Sequence, residues 1–399
     1  MRSSISKIVF IIWTPFNRRD YDRFGIDLLR KNGFDVEVFD FTPFLNPDGF
    51  SKCTVSDTID FSNHCIFHSK REALKAINQL TTRYFIMSHI PWHYNTYPIY
   101  RAISRKDIPY SANWTPNMLP LPSLDKSAAD VLCNLKRVTD RLRNLKLSNL
   151  LNFFCNQMPL KFLGVRSEAL FCAGGIKSIR NNLTTDTTKV LWIHALDYDL
   201  FLNERMSNAK SMNSKYAVFL DECAPFHPDY VHLKRTPYVT PDVYFNLLNN
   251  FFDHLEKKHN IEVIVAAHPR SQYEKYAPYF GDRQVIKGQT IKLVRDAFFV
   301  ILHASTAINY SVLFEKPAVF ITTNEFKTSF GGPWIDAIAS ELDKKVHNLD
   351  ETIEIDMNSE LLVDRELYKT YKNNYIKMDD TPELPFWQVV ADELKTMEI

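Results

Sequence analysis

Side chains able to bind an anion or move a proton recur in this chain just past short apolar runs. Val263-Ile264-Val265-Ala266-Ala267 lands on His268-Pro269-Arg270, and Ala297-Phe298-Phe299-Val300-Ile301-Leu302 stops at His303-Ala304-Ser305-Thr306. Imidazole, guanidinium and hydroxyl groups placed this way suit a phosphate or a carboxylate. Ser305 and Thr306 stand where a helix begins after a strand, so a hydroxyl can cap the helix while its free N–H groups and positive dipole end face an anion. A plain helix cap is the alternative for that pair, and a packed or surface imidazole for either histidine. Lys287, next to Gly288, can add a point charge.

Tyr216-Ala217-Val218-Phe219-Leu220 ends in the same manner on Asp221-Glu222. Acids beside a basic pocket divide the labour: positive groups hold a leaving phosphate, while a carboxylate serves as nucleophile or base, with His268 as a further catalytic candidate. The alternative is that one acid caps a loop and the other pairs with Lys234 or Arg235. Asp197, also a candidate for the acceptor side, and Asp199 form a D-x-D pair of the kind that can hold a metal against a diphosphate. No partner ligand accompanies it in the sequence, and no metal is expected.

Positioning these groups requires parallel β-α units. Short apolar runs alternating with helical segments indicate parallel strands buried on both faces, and ligands of such sheets sit at the carboxyl ends of strands. The fold class expected is α/β. Ile8 to Trp13 reads as a first strand, Tyr21 to Asn32 as a helix ending at Gly33, and Asp35 to Asp40 as a second strand, a Rossmann-like opening. Further elements are a helix over Glu72 to Leu80, a strand over Tyr84 to Ser88, and a helix over Tyr97 to Lys106. The loop His89-Ile90-Pro91-Trp92-His93-Tyr94-Asn95, dense in polar aromatic rings, offers His89, Trp92 and His93 as walls for a polar acceptor; ordinary packing is the alternative. Gly174-Gly175 ends another strand, and backbone without a Cβ can approach a sugar closely. Pro241 to His259 is a long helix leading into the strand at Ile261. Glu383 to Lys395 reads as a closing helix.

Length and composition set the outer limits. A chain of 399 residues points to two domains, placed at 1–205 and 206–380 with 381–399 as the closing helix, and with the crossover between Asn203 and Ser214. A hydrophobic content of 45% with 24% charged residues is globular, and a net charge of +1 gives no general pull toward nucleic acid, which is not expected as a partner. Six cysteines lack any C-x-x-C pair, which argues against a zinc site or disulfide framework and for a reducing compartment. No run reaches the ~20 apolar residues of a membrane span, and Asn17-Arg18-Arg19-Asp20 stands where a signal peptide would need a cleavage site. Neither G-x-G-x-x-G nor a Walker sequence is present. Leu132 to Phe154 carries Leu135, Val138, Leu142 and Leu145 at helical spacing among Lys136, Arg137, Arg141, Arg143 and Lys146. Such a segment either lies on an anionic membrane surface or packs on the domain by its leucines.

His268-Pro269-Arg270, His303-Ala304-Ser305-Thr306 and Glu315-Lys316-Pro317 resemble motifs of bacterial surface-polysaccharide glycosyltransferases of the two-Rossmann, GT-B type that bind cytidine nucleotides. That group includes Kdo transferases, polysialyltransferases and polyglycerolphosphate transferases. Val218 to Glu222, His227-Pro228-Asp229-Tyr230 and Asp197-Tyr198-Asp199 look most similar to the retaining β-Kdo transferases. The resemblance covers about Asp197 to Thr323. It implies an enzyme that moves Kdo from CMP-β-Kdo to lipopolysaccharide O-antigen or capsule glycan by double displacement, the attacking carboxylate falling on Asp221 with Glu222 as rival. It further implies that a nucleotide-sugar donor meets an oligosaccharide or lipid-linked acceptor in the cytoplasm or on the cytoplasmic face of the inner membrane. His268, Arg270, Ser305 and Thr306 would engage phosphate or the Kdo carboxylate, Lys287 would neutralise the departing CMP, and a monophosphate leaving group needs no metal cofactor. Where many GT-B enzymes carry a ribose-binding glutamate, this chain has Asn309 and Tyr310. Alternatives are a CMP-sialic acid or CDP-glycerol transferase, a two-Rossmann epimerase, and a non-catalytic glycan- or nucleotide-binding protein.

Overall fold

The first apolar run forms β1 (Lys7–Ile12), which pairs in parallel with β2 (Asp35–Asp40) on one side and, across a crossover, with β4 (Tyr84–Ser88) on the other. β3 (His64–Ile66) and β5 (Tyr110–Ser111) complete a five-stranded sheet of order β3-β2-β1-β4-β5. The coordinates are a computed structural model that describes residues 4–52, 58–112, 119–122, 147–178, 180–206, 215–227, 229–230, 235–275, 278–351 and 355–397. Side chains alternate along each strand. Val9, Ile11 and Ile86 therefore pack under the helices Lys70–Gln79 and Tyr97–Arg105, while Ile8, Phe10, Val36 and Phe85 pack against Ile26, Leu29 and the carboxy-terminal helix Phe386–Thr396. Burial on both faces is why these strands read as unbroken apolar runs.

One helix expected over Tyr21 to Asn32 is two, Arg18–Arg23 and Ile26–Lys31, broken at Gly25. Gly25 has φ +57°, and a Cβ there would lie 2.1 Å from the Trp387 ring of the closing helix. The break makes room for a long-range contact that local periodicity cannot announce. Trp387 then donates its indole N–H to the Arg23 carbonyl at 2.7 Å.

A two-stranded parallel sheet, β6 (Leu170–Ala173) with β7 (Lys189–Trp192), extends the first core. The second large sheet contains β8 (Tyr216–Leu220), β9 (Glu262–Ala267), β10 (Val285–Lys287), β11 (Phe299–Leu302), β12 (Ala318–Thr322) and β13 (Val346–Asn348). Its order is β10-β9-β8-β11-β12-β13, all parallel, so the chain reverses direction across the sheet beside β8. Asp221, His268 and His303 all follow strands that meet there: β9 and β11 flank β8. Crevices at such switch points are where open α/β sheets bind ligands.

The helix Asp197–Met206, which a boundary at 205 places with the first domain, packs Tyr198, Phe201 and Leu202 into the core of the second sheet. The segment Arg365–Ile376 joins the same core before the chain crosses back to the first. Residues 207–214 of the expected crossover and 132–146 of the basic segment lie outside the described residues.

Candidate functional site

At the carboxyl ends of β8, β9 and β11 lies a cavity of about 250 Å³, lined by Glu222, His268, Ala304, Ser305 and Thr306 together with Ala224, His227, Asp229, Tyr230, Arg235 and Tyr238. The structure thus brings together one acid, one imidazole and two hydroxyls of the groups expected from the sequence.

His268 opens a turn closed by the Ser271 N–H to the His268 carbonyl at 2.9 Å, with Pro269 in the second position, where its fixed φ suits the turn. The Arg270 N–H donates to His268 Nδ1 at 3.2 Å, so the ring proton resides on Nε2. Burial, with His227, Arg270 and Arg19 nearby, pushes the imidazole down to about 3. At neutral pH the imidazole is therefore uncharged, with Nε2–H as its donor.

Asp221 and Glu222 separate in role. Asp221 Oδ1 accepts from the Cys223 N–H at 2.9 Å and the Tyr273 hydroxyl at 3.0 Å, while Oδ2 accepts from the His268 N–H at 3.1 Å. The group is buried at 4% exposure and does not line the cavity; burial lifts it to about 6 against the pull of those hydrogen bonds. Glu222 does line the cavity. Its Oε1 accepts the Ala304 N–H at 2.5 Å, and burial, reinforced by Asp221, lifts it to about 8. Ser305 Oγ accepts the Ala307 N–H at 3.3 Å, a local turn; the helix itself begins only at Ile308 and runs six residues.

Several expected ligands lie elsewhere. His303 is fully buried: Nε2 faces the Tyr244 hydroxyl at 2.9 Å, Nδ1 faces the Ile321 carbonyl at 2.7 Å, and Phe326 stacks on its ring. A carbonyl can only accept, so Nδ1 carries the proton and Nε2 accepts from Tyr244. Burial drops its pKa to about 4. It is a satisfied core histidine, not an anion ligand. Arg270 spends its charge on Asp229 at 2.9 Å, with His227 Nε2 3.2 Å away, and so braces one wall of the cavity without lining it. Lys287, on the edge strand β10, donates to the Ser271 carbonyl at 2.6 Å and lies near Glu274. It does not line the cavity either. Asn309 is 1% exposed on the helix after Thr306, also away from the lining.

The acceptor-side candidates divide as well. His89 faces the region between the two sheets, where burial and the Arg23 cation lower it to about 4. Asp197, of the second core, is raised by burial and opposed chiefly by the same Arg23. Asp20 completes this cluster; burial raises its carboxyl against Arg19, Arg23 and Arg270. Trp92 and His93 instead turn toward the helix Leu147–Gln157: the indole donates to the Cys155 carbonyl at 3.3 Å, and the His93 ring meets Asn152. At Gly175 the close approach is to the chain itself, since a Cβ would lie 2.3 Å from the Asn374 carbonyl oxygen. Asp199 caps the closing helix by accepting the Phe386 N–H at 2.8 Å. Among the described residues no group of three His, Cys, Asp or Glu side chains could hold a metal ion. None of the helices among them is long and apolar enough to cross a membrane.

Tyr238 lines the cavity without any signal in the sequence, while Arg235, expected only as a possible partner of the acids, and Tyr230, expected only as part of the H-P-D-Y stretch, line it too. Arg235 rests its guanidinium 3.9 Å over the Phe330 ring, a contact between segments 95 positions apart that no local pattern betrays. Asp20 was legible only as one of the charges excluding a cleavage site, and Arg23 carried no signal of its own.

No model of a known protein family matches the chain, and no curated protein matches it in sequence. Solved structures do match in shape. A variant of the wall teichoic acid polymerase TagF is 12% identical, with 98% of this chain and 88% of that one covered and a TM-score of 0.50. The UDP-GlcNAc 2-epimerase of Methanocaldococcus jannaschii with UDP-GlcNAc and UDP is 11% identical, covering 97% and 99%, at 0.44. Acinetobacter baumannii MurG is 10% identical, covering 98% and 100%, at 0.45. At such identities the likeness speaks to fold alone. The likeness to the TagF variant, together with the two parallel sheets and their strand orders, establishes a GT-B architecture of two Rossmann-like domains.

Proposed function

We propose that this chain is a glycosyltransferase that takes a sugar from a nucleotide donor bound at the carboxyl ends of β8, β9 and β11 and passes it to a glycan across the cleft. The observation that carries the reading is the convergence of Glu222, His268, Ser305 and Thr306 on one cavity at the switch point of the second sheet. His268 Nε2–H, the two hydroxyls and Arg235 suit a phosphate; Tyr230 and Tyr238 offer aromatic faces to a base or sugar.

The donor proposed is CMP-β-Kdo, on the motif resemblance, and the acceptor a bacterial surface glycan, with retention. A carboxylate attacks the anomeric carbon, the bond to the CMP phosphate breaks, and CMP departs with the electron pair. An acceptor hydroxyl then attacks the same carbon, the bond to the carboxylate breaks, and the hydroxyl proton passes by way of the released carboxylate to water. Glu222 is the better placed acid, because it faces the cavity while both oxygens of Asp221 are held from behind. The leaving group is a monophosphate, so neutral donors and one guanidinium suffice and the reaction needs no divalent ion.

Intact-protein mass spectrometry after mixing with CMP-Kdo tests this directly. A Kdo-sized adduct mapped to Glu222, or to Asp221, supports the donor and the double displacement together. Hydrolysis or transfer without an adduct removes the covalent step. An adduct or turnover only with CMP-sialic acid or CDP-glycerol transfers the site to that donor, and epimerisation of donor alone replaces the reaction.

A further inference from the structure

The helix Leu147–Gln157 is inside out. A polar stripe of it is docked on the protein, while Asn149 and Gln157 stay exposed: Asn152 accepts the Tyr94 N–H at 3.0 Å, Asn156 accepts from the Asn182 amide at 2.9 Å, and the Cys155 carbonyl takes the Trp92 indole. Its apolar face is left to solvent. Leu147, Leu150, Leu151, Phe154 and the following Met158 recur at helical spacing on one side, with Leu147 71% and Phe154 58% exposed; Phe162, just beyond, is 76% exposed. A helix held to a domain only by its own apolar residues would show the opposite pattern.

Charge identifies what covers this face. Lys136, Arg137, Arg141, Arg143 and Lys146 precede the helix against one acid, Asp140, and from Leu147 to Val165 no acid occurs at all, in a chain whose net charge is only +1. Arg105 and Lys161 line a shallow recess beside Leu160 and Gly164, next to the exposed Phe162, together with Arg166, whose charge is paired with Asp107 at 2.5 Å. Apolar rings and leucines, preceded in the sequence by a run of cations and bordered by Arg105 and Lys161, match the acyl boundary and headgroups of an anionic bilayer.

We propose that the outward face of the helix Leu147–Gln157, with Met158 and Phe162, docks the protein on an anionic membrane surface. The Trp92–Tyr94 loop, which holds the opposite side of the helix, would then stand one helix diameter, roughly 10 Å, above the bilayer surface. The docking itself is independent of which donor the cleft binds and is tested without substrate.

The experiment is co-sedimentation of the full chain with vesicles containing phosphatidylglycerol and, separately, with vesicles of phosphatidylcholine alone. Binding to the anionic vesicles should exceed binding to the neutral ones by at least about tenfold and weaken in high salt. The double variant Leu151→Glu, Phe154→Glu should lose at least about tenfold in partitioning while its melting temperature stays that of wild type. Phe162→Ser, outside the helix, should weaken binding to a lesser degree and serves if the double variant unfolds. Absence of sedimentation with either vesicle, or equal binding by both variants, overturns the proposal. So does a wild-type dimer in solution that the same substitutions dissociate, which would assign the face to a second copy.

Discussion

The His268 backbone N–H donates to Asp221 Oδ2 at 3.1 Å, tying the end of β9 to the end of β8. Through that bond the buried acid sets the turn that aims the imidazole at the cavity, leaving its neighbour Glu222 to face the ligand. Adjacent acids at one strand end therefore part: Asp221 is held by three donors at the turn, and Glu222 lines the cavity.

Asp221→Asn and Glu222→Gln should have different signatures. Asp221→Asn puts an amide where three donors converge and should cost about 1–3 kcal/mol of stability, with CMP binding weakened through His268. Glu222→Gln should leave the fold intact and remove the covalent adduct and transfer. Thermal unfolding beside adduct mapping separates them; an adduct that persists in Glu222→Gln and vanishes in a fully folded Asp221→Asn would reverse the assignment.

The pH dependence of stability has two opposed limbs. Glu222 stands at about 8 against an ordinary 4.5, so its stabilising contribution is complete below about 4.5 and is lost as pH rises through 8. His303, at about 4 against 6.5, contributes above 6.5 and is lost as pH falls toward 4. Wild type should lose stability from neutrality to pH 9, and Glu222→Gln should flatten that limb, ending more stable there by about 1 kcal/mol or more. Melting temperatures across pH 4–9 check both. If Glu222 is the nucleophile, turnover should rise with pH through about 8.

Tyr244→Phe should destabilise the second domain by about 1–3 kcal/mol, because His303 Nε2 would be left buried without its donor. CMP affinity, measured by calorimetry, should stay within about twofold of wild type, since His303 takes no part in the cavity. A selective loss of affinity with unchanged stability would return His303 to the site.

Gly175→Ala should cost at least about 2 kcal/mol, since the new methyl meets the Asn374–Tyr375 backbone, which cannot yield as a side chain tip can. Denaturant unfolding gives the number. An alanine variant of native stability with impaired acceptor use would place a sugar there after all.

The amino-acid sequence by itself determined the α/β class, most strand positions, and which residues stand past strand ends, because burial on both faces writes parallel strands as apolar runs and the next residues are their exits. Asp35–Asp40, Tyr84–Ser88, Tyr216–Leu220 and Pro241–His259 all lie where periodicity places them. Short edge strands such as Val285–Lys287 and Val346–Asn348 escaped it, being too brief to carry a pattern. Only the tertiary structure decided what each exit residue faces. His268 and His303 follow flanking strands with similar local surroundings, yet one turns into the cavity and the other is roofed by Tyr244 and Phe326. Arg235 enters the cavity from a loop, and a helix at 147 turns its apolar side outward, for the same reason. Direction past a strand end depends on partners dozens of residues away, and local sequence holds no record of them.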